Sequence, residues 1–364
     1  MVFHKTHGMN QPLFSMRTLY VSRTPADSSV YPTISAALDA ILMDLNEPAC
    51  IYLAPGIYHE KITINKPYLT ILGTGKSNKD VVLTYDDYAL APMADIGKLG
   101  TFRSYSVFID THDVTLQNLT IENASGDSLT HGQAIALYAD GDRLVIDSCR
   151  LIGHQDTLFT GPLPPKEIEP DGFIGPKQFA PRINGRQYYK NCGDIDFIFG
   201  SATAYFENCV IESLCHTTNV NDIQGYITAA STPESQEYGY VFSNCKLISK
   251  DCPPNSVYLG RPWRNYAKTV FLECALGNHI HECGFHDWKK EDARNTVLYA
   301  EYRNYPASSA DTTSNNRSLN DDIHCIDGRC IPYPHRAEYV CELDAVQADF
   351  SKENVLSGAD HWNP

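Results

Sequence analysis

A four-residue motif returns four times in the middle of this chain: IDSC at 146–149, YKNC at 189–192, FENC at 206–209 and FSNC at 242–245. Each copy runs apolar or aromatic, any residue, Ser or Asn, then Cys. Self-similarity with unequal spacing between copies marks a solenoid whose successive coils carry loops of different length. In such a stack Cys149, Cys192, Cys209 and Cys245 form an inward column. Two readings of that column stand together: small core hydrophobes, or a disulfide between neighbours such as Cys192 and Cys209.

The flanking pattern agrees with coils. Short apolar runs separated by turn residues, among them CIYLAPG, KITI, LTILGTG, VVLTY, SVFI, VTLQNLTIEN, QAIALYA and RLVIDSCRLIG, predict strands. Asn-Gly and Asp-Gly hairpin turns are scarce between them, which favours parallel coils over a sandwich of hairpins. Ahead of the strands, Ile34, Ala37, Leu38, Ile41 and Leu42 share one helical face within 33–44, with Pro32 suited to the first turn. That short N-terminal helix is expected to cap the first coil and protect an open sheet edge. Residues 1–17 lack periodicity and read as a flexible arm, leaving 18–364 as one all-β unit. The Pro-rich stretch 161–181 predicts a long surface loop near the functional site, and the polar stretch 308–322 a second loop.

A formal charge of −15 argues against nucleic acid, because neutralising phosphates requires a basic face. A neutral or weakly charged ligand fits better. No stretch reaches the roughly 18–20 apolar residues of a membrane span. Twelve cysteines and the sequons at Asn118, Asn123 and Asn316 point to a secreted, disulfide-bonded glycoprotein. The opening MVFHKTHGMNQPLF has no signal-peptide core, so secretion implies a leader not contained in this sequence. With no CxxC or HExxH spacing, neither a metal nor another cofactor is expected.

One carboxylate is conspicuous. In NCGDIDFIFGS, Asp196 stands in an apolar, strand-prone run closed by Gly200, where a charge costs stability unless it is paired. Further motifs surround it in sequence: GQAIAL (132–137), GHQDTLF (153–159), LGRPW (259–263) and GFHDW (284–288), with GIYHEKI (56–62), TFRSYSVFI (101–109) and the ending VLSGADHWNP. Together these resemble the signature set of the pectin methylesterases, in the same order, with an ending like that of bacterial members. The resemblance implies a right-handed parallel β-helix whose long loops form a substrate cleft. It also implies hydrolysis of methyl esters on polygalacturonate, with methyl-esterified pectin as the partner and no membrane, on a secreted enzyme expected to be monomeric.

Residue by residue, the resemblance makes Asp196 the nucleophile and Asp156 the general acid and then base. Splitting the roles this way requires pKa values pushed apart, and Arg261 beside Asp196 would hold that carboxylate ionised. Gln133 and Gln155 would donate to the oxyanion, as amides that do not titrate. Trp263, Phe102, Phe159 and Trp288 are the matched candidates for stacking on sugar rings, with Thr101 beside them as a substrate contact. Tyr58 and Glu60 of GIYHEKI are read as structural. His154 departs from the family pattern, and the 161–181 insert reshapes the groove. The acidic net charge favours neutral, highly esterified substrate over polyanionic product. The competing readings are a lyase or polygalacturonase on the same fold, or an inactive carbohydrate-binding β-helix.

Overall fold

The computed structural model describes residues 16–41, 47–94, 97–193, 197–307 and 335–364. The polar stretch 308–322, Asn316, Leu42 and residues 1–15 of the expected arm lie outside the described residues, and so does Asp196. Arg17, assigned to the arm, instead opens the first strand, Arg17–Val21.

Among the described residues, strands from successive coils pair in parallel throughout, apart from one two-stranded antiparallel ladder between Pro92–Met93 and Gly97–Lys98. A 12-stranded sheet runs the length of the molecule, and a 7-stranded sheet forms a second face. The third face is divided between two 4-stranded sheets. One coil reads Thr203–Glu207, Val210–Glu212, Gly225–Ala230, and the next Tyr240–Ser243, Lys246–Ile248, Val257–Pro262. This is the parallel β-helix expected from the repeat.

The repeat has a local physical cause. Its third residue turns the chain from the first sheet toward the third with a left-handed backbone: φ is 56° at Ser148, 52° at Asn191, 55° at Asn208 and 53° at Asn244. Asn tolerates that conformation better than most residues. The turn aims the next side chain inward, and each Cys Sγ donates to a carbonyl of the preceding coil, Cys192 to Ile146 at 3.2 Å and Cys209 to Tyr189 at 3.4 Å. The motif's first residue stacks in register: Tyr189 on Phe206 at 4.6 Å, Phe206 on Phe242 at 4.5 Å, Phe242 on Phe271 at 4.5 Å. Phe271 belongs to a fifth copy, FLEC at 271–274, which pattern reading passes over because Glu273 (φ 52°) replaces Asn.

All ten described cysteines are free thiols, so the column is a set of core hydrophobes and the Cys192–Cys209 disulfide is not formed. Burial pushes the Cys149, Cys192, Cys209 and Cys245 thiols well above their ordinary range. Two sequons are corrected as well. Asn123 is 2% exposed, and its amide donates to the carbonyls of Asp87, Ser104 and Ile135. Asn118 spends its amide on Gly73 and Gly75. Neither nitrogen is available to a glycan in this fold.

The N-terminal helix covers Ile34–Ala40, with Thr33 as its N-cap, so Pro32 lies just outside the first turn. Ile34 and Ala37 join the core at the first coil. Glu60 explains its place in the motif by accepting from the Ile34 and Ser35 amides at this helix's N-terminus, at 3.0 and 2.9 Å. Tyr58, fully buried, donates to the Ala54 carbonyl at 2.8 Å. Near the other end, Arg186 donates to the carbonyls of Leu356 and Ser357, pinning the C-terminal segment to the wall.

Candidate active site

The site lies on the outer face of the 7-stranded sheet. Register aligns Tyr138, Phe159, Phe199, Ala229 and Arg261 in one row across five strands. Alternation along a strand puts this row outward and its neighbours, such as Leu158 and Ile198, into the core. Outward aromatics on parallel strands pack into a platform: Tyr138 meets Phe159 edge to face at 4.7 Å, Phe159 and Phe199 are tilted at 4.9 Å, and Phe199 and Trp263 are tilted at 5.6 Å.

Asp156 sits at the edge of that platform, in the turn entering the strand Leu158–Thr160, with a left-handed φ of 60°. It is partly exposed. The Gln155 carbonyl accepts from the Ala134 amide at 3.0 Å, and this tie places GHQD beside GQAI. Gln133 follows Gly132, whose φ of 73° closes the short helix Ser128–His131. Both Gln side chains are partly exposed, and neither amide has a hydrogen-bond partner among the described residues. Two donors of fixed origin are therefore open to a ligand.

Ile198, the register partner of Leu158, begins the strand that follows Asp196. Phe197 carries a φ of 41°, an unfavourable value for a bulky residue, and its carbonyl accepts from the Leu158 amide at 3.2 Å. Gly200 closes the same strand. Its φ is +131°, and a Cβ there would lie 2.0 Å from the Thr160 carbonyl oxygen, so only glycine fits.

Arg261 is clamped between rings. Its guanidinium lies 4.2 Å from the Tyr226 ring centroid, 4.3 Å from Trp288 and 5.6 Å from Phe197. Its Nε is buried with no hydrogen-bond partner, and no carboxylate pairs with it among the described residues. Such stacking holds a planar cation in place while leaving its outer nitrogens free. Tyr226 is itself fixed by His286, whose Nδ1 lies 3.0 Å from the phenol oxygen.

The expected aromatic contacts divide. Trp263 and Trp288 are partly exposed and present ring surface, and Thr101 is partly exposed at the start of a single 3-10 turn. Phe159 and Phe102 are corrected: at 0% and 3% exposure they are the floor beneath the cleft and have no face to offer a sugar. The 161–181 insert is a surface loop beside the site as expected, but it also contributes Leu163 and Phe173 to the platform. Sequence reading missed Phe173, Tyr226 and His286. His286 stands inside the recognised GFHDW motif, whereas Tyr226 and Phe173 carried no such signal. Among the described residues no group of three or more His, Cys, Asp or Glu could hold a metal ion, and no helix is long and apolar enough to cross a membrane.

The fold and site define a parallel β-helix protein that carries a carboxylate, two open amides and a ring-clamped arginine on one aromatic face. The comparisons with known proteins narrow it. The sequence profile of the pectinesterase family matches residues 21–162 and 182–320, and the chain belongs to that family. "Pectinesterase 31" of Arabidopsis thaliana is 31% identical across 84% of this chain and 90% of its own length. "Probable pectinesterase A" of Neosartorya fischeri is 35% identical across 80% of each. Among solved structures, pectin methylesterase PemA from Erwinia chrysanthemi is 26% identical and superposes with a TM-score of 0.70, covering 96% of this chain and 99% of that one. A pectin methylesterase in complex with a hexasaccharide superposes equally well.

Proposed function

We propose that the protein is a pectin methylesterase, a carboxylic ester hydrolase that removes methyl groups from the C6 esters of polygalacturonate as methanol. One observation carries the assignment of its machinery. Leu158 and Ile198 are register partners on adjacent strands, and an Asp stands two residues before each, Asp156 and Asp196. That shared spacing supports reading the two carboxylates as a working pair.

In the proposed reaction the ionised Asp196 attacks the ester carbonyl carbon, and the π electrons move onto the carbonyl oxygen. The Gln133 and Gln155 amides donate to that oxyanion, an interaction worth roughly 2.7–4 kcal/mol per donor in comparable sites. Collapse expels the methoxy group, which takes the proton of Asp156 and leaves as methanol. Asp156, now ionised, draws a proton from water as it attacks the acyl-enzyme anhydride, freeing galacturonate and regenerating Asp196. Arg261 favours the ionised form of the nucleophile, and its clamp between Tyr226 and Trp288 keeps its charge at the cleft. Trp263, Trp288 and Thr101 border the sugar path. The chain from Arg17 onward acts as one catalytic unit, and the enzyme works as a secreted monomer on an extracellular wall polysaccharide.

Methanol release and chain length, measured together on methylated pectin, test the reaction class. The expected result is methanol without shortening; shortening without methanol would assign a lyase or polygalacturonase instead.

A further inference from the structure

Two cysteines outside the inward column face each other across neighbouring coils. Cys215 is exposed and Cys252 partly exposed, and their Sγ atoms lie 3.5 Å apart. The approach follows from register. Glu212 pairs with Ile248 on adjacent strands, so the connectors that leave those strands, 213–224 and 249–256, start side by side. Ser249 Oγ donates to the Ser213 carbonyl at 2.8 Å and accepts from the Cys252 amide at 3.0 Å. These bonds fold Cys252 back over Ser213, with Sγ 3.7 Å from the Ser213 carbonyl. The column thiols at Cys149, Cys192, Cys209, Cys245 and Cys274 differ, since each is buried and donates to a carbonyl of the coil before it.

The connector 213–224 does more than join two strands. At its far end Gln224 is 2% exposed, and its side-chain nitrogen donates to the Asn219 carbonyl at 3.0 Å. At its near end, next to Cys215, His216 places Nδ1 3.2 Å from Ser128 Oγ. Ser128 opens the short helix Ser128–His131, which closes at Gly132, directly before Gln133. The strand after that helix is Leu137–Ala139, and the strand after the connector is Gly225–Ala230. In the 7-stranded sheet two strands lie between them, Leu158–Thr160 and Ile198–Gly200. The connector therefore reaches back past the turns that enter those two strands, and the first of these turns carries Gln155 and Asp156. It is a strap along the edge of the candidate site, with Cys215 at its root.

We infer that Cys215 and Cys252 form a disulfide, made by exchange with a small-molecule disulfide, that latches this strap against the segment leading to Gln133. In the exchange the Cys215 thiolate attacks one sulfur of the oxidant and expels a thiolate. The Cys252 thiolate then attacks the Cys215 sulfur of the mixed disulfide and expels the second. Two protein thiols lose two protons and two electrons, and the oxidant becomes two thiols. The protein sulfurs close from 3.5 Å to about 2.05 Å, a movement that rotation of two surface side chains supplies. With its root tied, the strap loses freedom, and His216 stays against Ser128. The effect on catalysis rests on the pectin methylesterase reading; the bond and the strap do not.

The test uses the full chain, incubated with oxidised glutathione or with dithiothreitol and then freed of small thiols. Peptide mapping without reduction is expected to find one peptide pair joined through Cys215 and Cys252, and in Cys252→Ser a glutathione adduct on Cys215 instead. Thermolysin cleavage at Val220 or Ile223, both exposed on the strap, is expected to be about 10-fold slower in the oxidised protein. The kcat for methanol release is expected to be about 3-fold higher in the oxidised protein with KM unchanged, because the strap touches the segment before Gln133 and not the sugar path. His216→Ala forms the same disulfide but loses the kcat difference, and Cys252→Ser loses both. Wild-type protein carrying glutathione on both Cys215 and Cys252, or keeping both thiols reduced, would overturn the latch. Equal cleavage, or equal kcat, in the two redox states would overturn the role of the strap. A protein that joins the two cysteines and protects the strap but releases no methanol would overturn the esterase reading and leave the latch standing.

Discussion

At Phe159, whose ring has no exposed surface, truncation removes packing and not a ligand contact. Phe159→Ala is expected to cost about 3–5 kcal/mol in denaturant unfolding, the range for large-to-small changes in a packed core. Trp263→Ala, at a partly exposed ring, is expected instead to raise KM with a much smaller loss of stability. An equal stability loss at both positions would contradict this division between floor and wall. The two residues look alike in sequence, since both are aromatics inside recognised motifs. What separates them is the register that buries one row of side chains under the insert, and register depends on strands 40 residues away in the chain. Gln133 and Gln155, by contrast, were singled out only because each stands inside a motif that resembles a family signature, GQAIAL and GHQDTLF. Gln155→Ala is expected to lower kcat about 10²–10³-fold with little change in KM.

The turn between the first and second strands of each coil explains why the solenoid could be read at all. It asks for a left-handed residue followed by a small inward one, and Asn-Cys or Ser-Cys meets both needs. Replacing Asn208 by Ala is expected to cost about 1 kcal/mol from backbone strain alone, measurable as a shift in the denaturant midpoint. The buried thiols at Cys149, Cys192, Cys209, Cys245 and Cys274 should react with a thiol reagent only after unfolding. The insert was legible as a loop but not as a packed element, because its anchors, Leu163 and Phe173, have no periodicity to announce them. Its docking carries a pH signature. Lys177 Nζ pairs with Asp110 and lies 3.9 Å from Asp140, whose Oδ2 is buried without a hydrogen bond. Burial raises the Asp140 pKa to about 6. A carboxyl that holds its proton more tightly in the folded state loses stability as pH rises from about 4 to about 6, by an amount on the order of 2–3 kcal/mol. Asp140→Asn should therefore gain melting temperature relative to wild type as pH increases through that window. A difference that is flat with pH would show that Asp140 is solvated in solution.

Across the whole molecule, stacking in register is what converts scattered motifs into a site. Residues 133, 155 and 261 are far apart in sequence, yet Gln133 and Gln155 adjoin through the Ala134–Gln155 hydrogen bond and Arg261 lies in the outward row of the same sheet. The fold was readable because one local turn repeats, and a candidate catalytic set could be named because its motifs stand together in an order that resembles a known family. The stacked clamp on Arg261 and the approach of Cys215 to Cys252 were not, since both arise between loops whose spacing follows no period. The central proposal is that Asp196 is the nucleophile and Asp156 its proton donor. It is tested most directly by steady-state methanol release from methylated pectin with wild type and Asp196→Asn, each shown to melt at the same temperature. The account predicts that Asp196→Asn loses at least about 10³-fold in kcat, and methanol release by a folded Asp196→Asn protein at the wild-type rate would contradict it.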